Sequence, residues 1–127
     1  MCHALFIAAP VSLPTVPPTN PPVFHVELLR KDYSAVRHHF PAGWEIRYAG
    51  STSGCGCDFH GAGSEESRRA LSAYLAVLDP SVPLQLYDCW EGDLDESSES
   101  TCTATLEELS ASHDVLAERR LVTISFR

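Results

Sequence analysis

The apolar residues follow five stretches with the patterning of β-strands. Residues 5–9 form a continuous apolar run, which is typical of a strand that is buried on both faces. Apolar and polar side chains alternate over residues 23–29 and 44–48, and this predicts two half-buried strands. Residues 83–90 and the β-branched residues 121–126 predict two more. The last of these is apolar enough that we expect it inside the sheet and not at its edge.

Helical spacing is clearest after residue 64. Ser64 is a candidate N-cap, and the apolar side chains that follow recur every three or four residues: Leu71, Tyr74, Leu75 and Leu78. Asp79 and Pro80 end this pattern. A short helix is also predicted over residues 33–40, and another from Thr105, because Thr105 and Glu108 have the spacing of a capping box.

Two segments interrupt these elements. Residues 10–22 contain six prolines, which predicts an extended loop, and residues 91–103 predict an acidic, Ser-rich loop. The expected fold is therefore a single α+β domain over residues 1–127. We expect one mixed sheet of about five strands covered by two or three helices. An α/β arrangement is the alternative, and the strand order stays open.

Charge and composition narrow the classes of partner. Nine Lys and Arg residues against seventeen Asp and Glu residues give a net charge of −8, which argues against nucleic acid and anionic membranes as partners. No apolar run is long enough to span a membrane, and the first residues have no basic group that would mark a secretory signal. Five cysteines, an odd number, then predict reduced thiols in the cytoplasm. A small-molecule or protein partner and the oligomeric state stay open.

The strongest chemical signal is a glycine-rich loop that contains Cys55, Cys57 and His60. Glycines allow the backbone to curl, so that both thiols and the imidazole can reach one point. Zinc prefers four tetrahedral nitrogen or sulfur ligands, and Cu(I) accepts two or three thiolates. Cys2 is the best fourth ligand, since strand ends and loops often meet at one side of a sheet. We therefore predict a metal site formed by Cys2, Cys55, Cys57 and His60, for zinc in preference to copper; the other candidates for the fourth ligand are His3, His38 and His39.

Three alternatives use the same residues differently. The protein is a binding or regulatory module without chemistry if the Cys-Gly-Cys loop is only a tight turn. It is a thiol-redox protein if Cys55 and Cys57 form a disulfide, although no lysine or arginine lies within seven residues to lower their pKa values. Removal of Met1 would make Cys2 an N-terminal nucleophile. Whether the protein is an enzyme stays open.

A thiol, an aromatic ring and two carboxylates also occur together over residues 89–93. We interpret Trp90 as a core residue and the acidic residues as part of a turn. The alternative is that this strand end lines the same pocket as the cysteine loop.

Three short motifs of this sequence together resemble those of a known group of proteins. They are the MCxxLFIA opening, Gly50 and Ser51 followed by GCGC at residues 54–57, and CWEGD at residues 89–93. With these motifs the chain resembles a group of small bacterial proteins of unknown function. The resemblance implies no activity, cofactor or catalytic residue. It favours treating Cys2, Cys55 and Cys57 as one constellation.

Overall fold

One mixed β-sheet forms the centre of the computed structural model, which describes residues 2–18, 24–51, 55–61 and 63–126. The strands within these ranges are β1 His3–Ala9, β2 His25–Leu28, β3 Glu45–Gly50, β4 Leu84–Trp90, β5 Ser100–Thr105 and β6 Arg120–Ser125. Their order in the sheet is β2-β3-β1-β4-β6-β5. Every neighbouring pair is antiparallel except β5 and β6, which are parallel.

The helices of the described ranges are short. Two are α-helices, α1 Glu65–Ala76 and α2 Leu106–Ala111, and three are 3-10 helices, Lys31–His39, Gly56–Phe59 and Glu91–Asp93. The expected α+β class with a single mixed sheet is confirmed, and the sheet has six strands where about five were expected. β6 lies inside the sheet, between β4 and β5, as its apolar sequence predicted. No helix in the described ranges is both long and apolar enough to cross a membrane.

The sixth strand corrects the predicted loop over residues 91–103. β5 begins at Ser100, and only residues 94–99 separate it from the 3-10 helix Glu91–Asp93. Threonines alternate along β5, and their β-branched side chains suit a strand. The polar sequence of β5 predicts a loop, but this sequence is polar because β5 lies at the sheet edge, where its side chains are mostly exposed.

The extended proline segment is tied to the sheet where it is described. Leu13 is buried, and Val16 pairs with Val26 through two backbone hydrogen bonds of 2.9 and 3.0 Å. Residues 19–22 of the predicted loop and Val23 of the predicted second strand lie outside the described residues.

Of the two predicted N-caps, the one at α2 forms as the sequence predicts and the one at α1 does not. At α2 the capping box forms: the backbone N–H of Glu108 donates to Thr105 Oγ1 (3.1 Å), and that of Thr105 donates to Glu108 Oε1 (3.0 Å). Ser64 occupies the N-cap position of α1, but its side chain does not cap the helix. Its backbone is already helical, and its hydroxyl donates to the Gly61 carbonyl (2.6 Å) and accepts from Arg68 Nε (2.9 Å). The predicted helix over residues 33–40 is a 3-10 helix.

The sheet is covered on both faces. On the helix face, Leu5 and Ile7 of β1 and Leu84 and Leu86 of β4 pack against α1 and α2. On the opposite, aromatic face, the alternate residues of β1 pack under the 3-10 helix Lys31–His39 together with aromatic rings: Tyr33, Phe40, Tyr48 and Tyr87. This is why β1, which is buried on both faces, has a continuous apolar sequence.

Candidate functional site

The 3-10 helix Gly56–Phe59 packs beside the start of β1 and carries the cysteine loop to it. Phe59 is completely buried and contacts the Phe24 ring edge-on, with a centroid separation of 6.3 Å. Gly56 lies directly against the β1 backbone, so an added Cβ would stand 2.8 Å from the Leu5 nitrogen and 3.0 Å from the Ala4 carbonyl carbon. Glycine is therefore required at position 56 for close backbone approach.

This packing brings together the sulfur atoms of Cys2, Cys55 and Cys57, which lie within 4.8 Å of one another. We call these three residues the thiol cluster. Cys55 is buried, whereas Cys2 and Cys57 are partly exposed. Two backbone N–H groups face the sulfurs: that of His3 donates to Cys57 Sγ (3.1 Å), and that of Cys57 interacts with Cys55. Burial nevertheless dominates at Cys55 and raises the pKa of its thiol.

The fourth predicted ligand, His60, belongs to a different group. Its Nε2 atom lies 2.6 Å from Oδ2 of Asp88, and Nδ1 of His3 lies 3.3 Å from the same oxygen. We call His3, His60 and Asp88 the imidazole–carboxylate cluster; its ligand atoms also lie within 4.8 Å of one another. The structure thus places three of the four predicted metal ligands together and the fourth beside a carboxylate.

Asp88 is completely buried in β4, on the helix face with Leu84 and Leu86. Arg120 is its neighbour across the β4–β6 pair, but the Arg120 guanidinium is directed away. It donates to Ser100 Oγ and to the carbonyls of Asp114 and Val115. The ion partners of the Asp88 carboxylate, within the part of the chain that the structure describes, are therefore the two imidazoles.

Glu118 adds a second carboxylate to the edge of this cluster. Its Oε2 atom lies 3.9 Å from Nδ1 of His3, and burial raises the pKa of Glu118. Asp88 raises the pKa of His3, an effect that outweighs the desolvation that lowers it. The imidazole–carboxylate cluster is therefore a partly buried set of two imidazoles and two carboxylates, in which Asp88 favours the protonated form of His3 and burial favours the neutral form of Glu118.

The end of β4 lines the region around the cysteine loop through Trp90 as well as Asp88. The His3 ring lies between two aromatic rings, with centroid separations of 3.9 Å to Trp90 and 4.3 Å to His60. Trp90 is only partly buried, so the alternative interpretation of residues 89–93 describes it better than a core position does. Cys89 is completely buried on the aromatic face.

The other candidates for a fourth ligand, His38 and His39, lie elsewhere. Their rings contact each other at 3.9 Å. His39 also stacks on Tyr87 and places Nε2 3.0 Å from the Leu94 carbonyl, and burial lowers its pKa. Met1, on which the N-terminal-nucleophile hypothesis depends, lies outside the described residues.

Two residues of the site were missed in the sequence, Asp88 and Glu118. A signal for Asp88 exists, because it is the one charged residue in the apolar stretch 83–90. A lone carboxylate in a strand that is buried on both faces needs a partner. Glu118 has no comparable local signal.

Comparisons of the chain with protein-family models, with curated proteins and with solved structures find no match. The resemblance to small bacterial proteins therefore stays a prediction. Inference of function rests on the geometry of the two clusters.

Proposed function

We propose that this is a metal-binding protein whose thiol cluster holds one thiophilic ion through Cys2, Cys55 and Cys57. The observation that carries the proposal is the convergence of three sulfur atoms, from two distant parts of the chain, within 4.8 Å. Thiolates are the ligands that zinc and Cu(I) favour, and three at this separation can share one ion.

The surroundings of the sulfurs support thiolate ligation. The His3 N–H that donates to Cys57 Sγ provides the kind of outer hydrogen bond that orients and tunes a metal-bound sulfur. Partial exposure of Cys2 and Cys57 gives an ion a route from solvent. Because the thiols must stay reduced to bind, the proposal also places the protein in a reducing compartment such as the cytoplasm.

Zinc is the proposed ion, with a solvent molecule as its fourth ligand, since His60 lies against Asp88. Cu(I) is the second candidate, because three thiolates alone complete its coordination. An open fourth position on zinc would be compatible with metal sensing or hydrolysis, whereas a closed trigonal copper site would favour metal storage or transfer.

The experiment is a titration of the reduced protein with Co²⁺, followed by displacement with Zn²⁺ and, separately, with Cu(I). A thiolate-to-cobalt charge-transfer band should grow to saturation at one ion per chain. Cys57→Ser should abolish the band, whereas Cys102→Ser, which changes another partly buried cysteine, should leave it unchanged.

Absence of the band in reduced wild-type protein would refute the proposal. In that case, reaction of all five thiols with a thiol reagent would favour the binding module. Reaction of only three thiols would favour the redox alternative. A band that survives Cys57→Ser but not Cys102→Ser would also refute the proposed ligand set.

A further inference from the structure

Several buried polar atoms of the imidazole–carboxylate cluster have no hydrogen-bond partner among the residues that the structure describes. They are His3 Nδ1, His60 Nε2, both carboxylate oxygens of Asp88 and Oε2 of Glu118. Buried polar atoms in native proteins are nearly always satisfied, so five such atoms at one place require an explanation.

The arrangement of these atoms differs from that of an ordinary ion pair. Nε2 of His60 lies 2.6 Å from Asp88 Oδ2, yet the contact does not have hydrogen-bond geometry. When metal–nitrogen and metal–oxygen bonds are about 2.0–2.2 Å long, neighbouring ligand atoms are about 3.0–3.4 Å apart. The separation of 3.3 Å from His3 Nδ1 to Asp88 Oδ2 has this length, whereas the 2.6 Å from His60 Nε2 is shorter, so the His60 ring would move away from Asp88 when an ion binds.

The two carboxylates of the cluster also favour a cation. Asp88 and Glu118 provide two carboxylates, and the arginines nearest in sequence to Glu118 have other partners. Arg120 binds Ser100 and two carbonyls, and Arg119 pairs with Glu96 and Glu99. A divalent cation would balance the two carboxylates while both imidazoles stay neutral.

Backbone strain occurs next to Glu118. Arg119 has a φ of 53°, the one positive value found at a non-glycine residue in the described ranges. Its backbone N–H donates to the Asp88 carbonyl at 2.7 Å, which fixes the turn that holds Glu118 near His3. Strain of this kind persists where the surrounding structure requires it, and it is concentrated at functional sites.

From these observations we infer a second metal site, in which His3 Nδ1, His60 Nε2 and Asp88 bind one divalent transition-metal ion and Glu118 lies within reach as a further ligand. Two imidazoles with carboxylate oxygen suit borderline ions such as Zn²⁺, Co²⁺ and Fe²⁺, whereas Ca²⁺ and Mg²⁺ prefer sites made only of oxygen. The side chains of His3 and His60 are partly exposed although their ligand nitrogens are buried, so an ion would enter the site past these two rings. This site does not depend on the thiol cluster.

Co²⁺ separates the two sites, because only thiolate ligands give the charge-transfer band. Reduced wild-type protein should bind two Co²⁺ ions, and the band should saturate after one of them. In a Cys55→Ser/Cys57→Ser variant one ion should still bind, detected by calorimetry and by weak visible bands, without charge transfer. One ion with the band and no second ion would overturn this inference and leave the proposed function intact. Binding of one ion without the band would overturn the proposed function and leave this inference intact.

Substitutions then assign the ligands of the second ion. His60→Gln and Asp88→Asn should each weaken its binding at least about 10-fold, the lower end of the effect expected on losing a ligand or its orienting partner. His113→Gln is the matched control, because His113 also lies near a carboxylate, Asp114 at 3.4 Å, but both are exposed. Unchanged affinity in His60→Gln would overturn the proposed site. If Asp88→Asn fails to fold, the His60→Gln variant decides the test, because His60 is partly exposed. Equal losses in His60→Gln and His113→Gln would also overturn it.

Discussion

The thiol cluster and the imidazole–carboxylate cluster begin at consecutive residues, Cys2 and His3, yet they provide different chemistry. The first draws its other members from the loop after β3, and its sulfurs receive backbone N–H groups. The second draws a buried carboxylate from β4, next to which two imidazoles lie. The comparison shows that the neighbours of a strand end decide which ligand atoms gather there: sulfur in the first set, and nitrogen and oxygen in the second. The ions proposed for the two sets differ for this reason, because soft ions prefer sulfur and borderline divalent ions prefer nitrogen and oxygen.

The largest expected effect is that of Phe59→Ala, because Phe59 anchors the segment that supplies ligands to both clusters. Truncation of this fully buried ring should cost about 3–5 kcal/mol of unfolding free energy and weaken both Co²⁺ signals. Urea unfolding and cobalt titration measure the two effects. Phe40→Ala, a similar truncation on the aromatic face, should reduce stability but keep both signals. Equal loss of the signals in both variants would show that the clusters respond only to global stability.

Gly56→Ala should have the next largest effect. Its Cβ would clash with the β1 backbone, and displacement of the loop should cost about 1–3 kcal/mol and weaken the thiol cluster most. Gly92→Ala is the control, because nothing lies within 4 Å of the added Cβ, and its effect should stay within about 0.5 kcal/mol. If both variants behave alike in thermal unfolding, the close packing of Gly56 on β1 does not hold the loop.

Thr105→Ala should remove stability without affecting either cluster. Loss of the capping box at α2 should cost about 1 kcal/mol, seen as a lower Tm of the ion-free protein. Both cobalt affinities should stay at their wild-type values. A fall in either affinity would mean that the stability of α2 affects ion binding at the clusters.

The smallest expected effect concerns His39, on the face opposite the clusters. Burial lowers the pKa of His39 in the folded protein below its ordinary value of 6.5, so folding favours the neutral ring. The associated stability is present above about pH 6.5 and is lost as the pH falls through the folded-state pKa. Between about pH 7.5 and pH 5, wild-type protein should lose more stability than His39→Gln. Equal losses in urea unfolding would show that His39 titrates alike in the folded and unfolded states.

Local patterns predicted much of the scaffold. The apolar run of β1, the alternation in β3 and the capping box at Thr105 each depend on residues close in sequence. The proximity of Cys2 to Cys55 and Cys57 was also predictable, since a strand start and a loop next to a strand often meet at one sheet end. Metal binding itself stays a prediction.

The rest depends on contacts between distant parts of the chain. Nearness in sequence predicts that His60 joins the cysteines, but β4 lies beside β1, and Asp88 of β4 is the residue that His60 contacts. That neighbour follows from strand order, which no local pattern specifies. The strand β5 could not be predicted from its own sequence for a related reason. A polar sequence is suitable for a strand only at a sheet edge, and which strand lies at the edge is a property of the whole sheet.

The order of the ligands along the chain has a consequence for when each cluster can form. The thiol cluster takes its ligands from residues up to Cys57 and its anchor from Phe59, whereas the imidazole–carboxylate cluster also needs β4, and Glu118 comes just before β6. Contacts between distant residues form late, because their loop-closure entropy is lost before any contact compensates it. A partly synthesised chain can therefore offer three thiols to an ion before the second set of donors exists. If both proposed sites bind ions, occupancy of the imidazole–carboxylate cluster requires a completed sheet, and the two ions would be acquired in the order in which the chain is made.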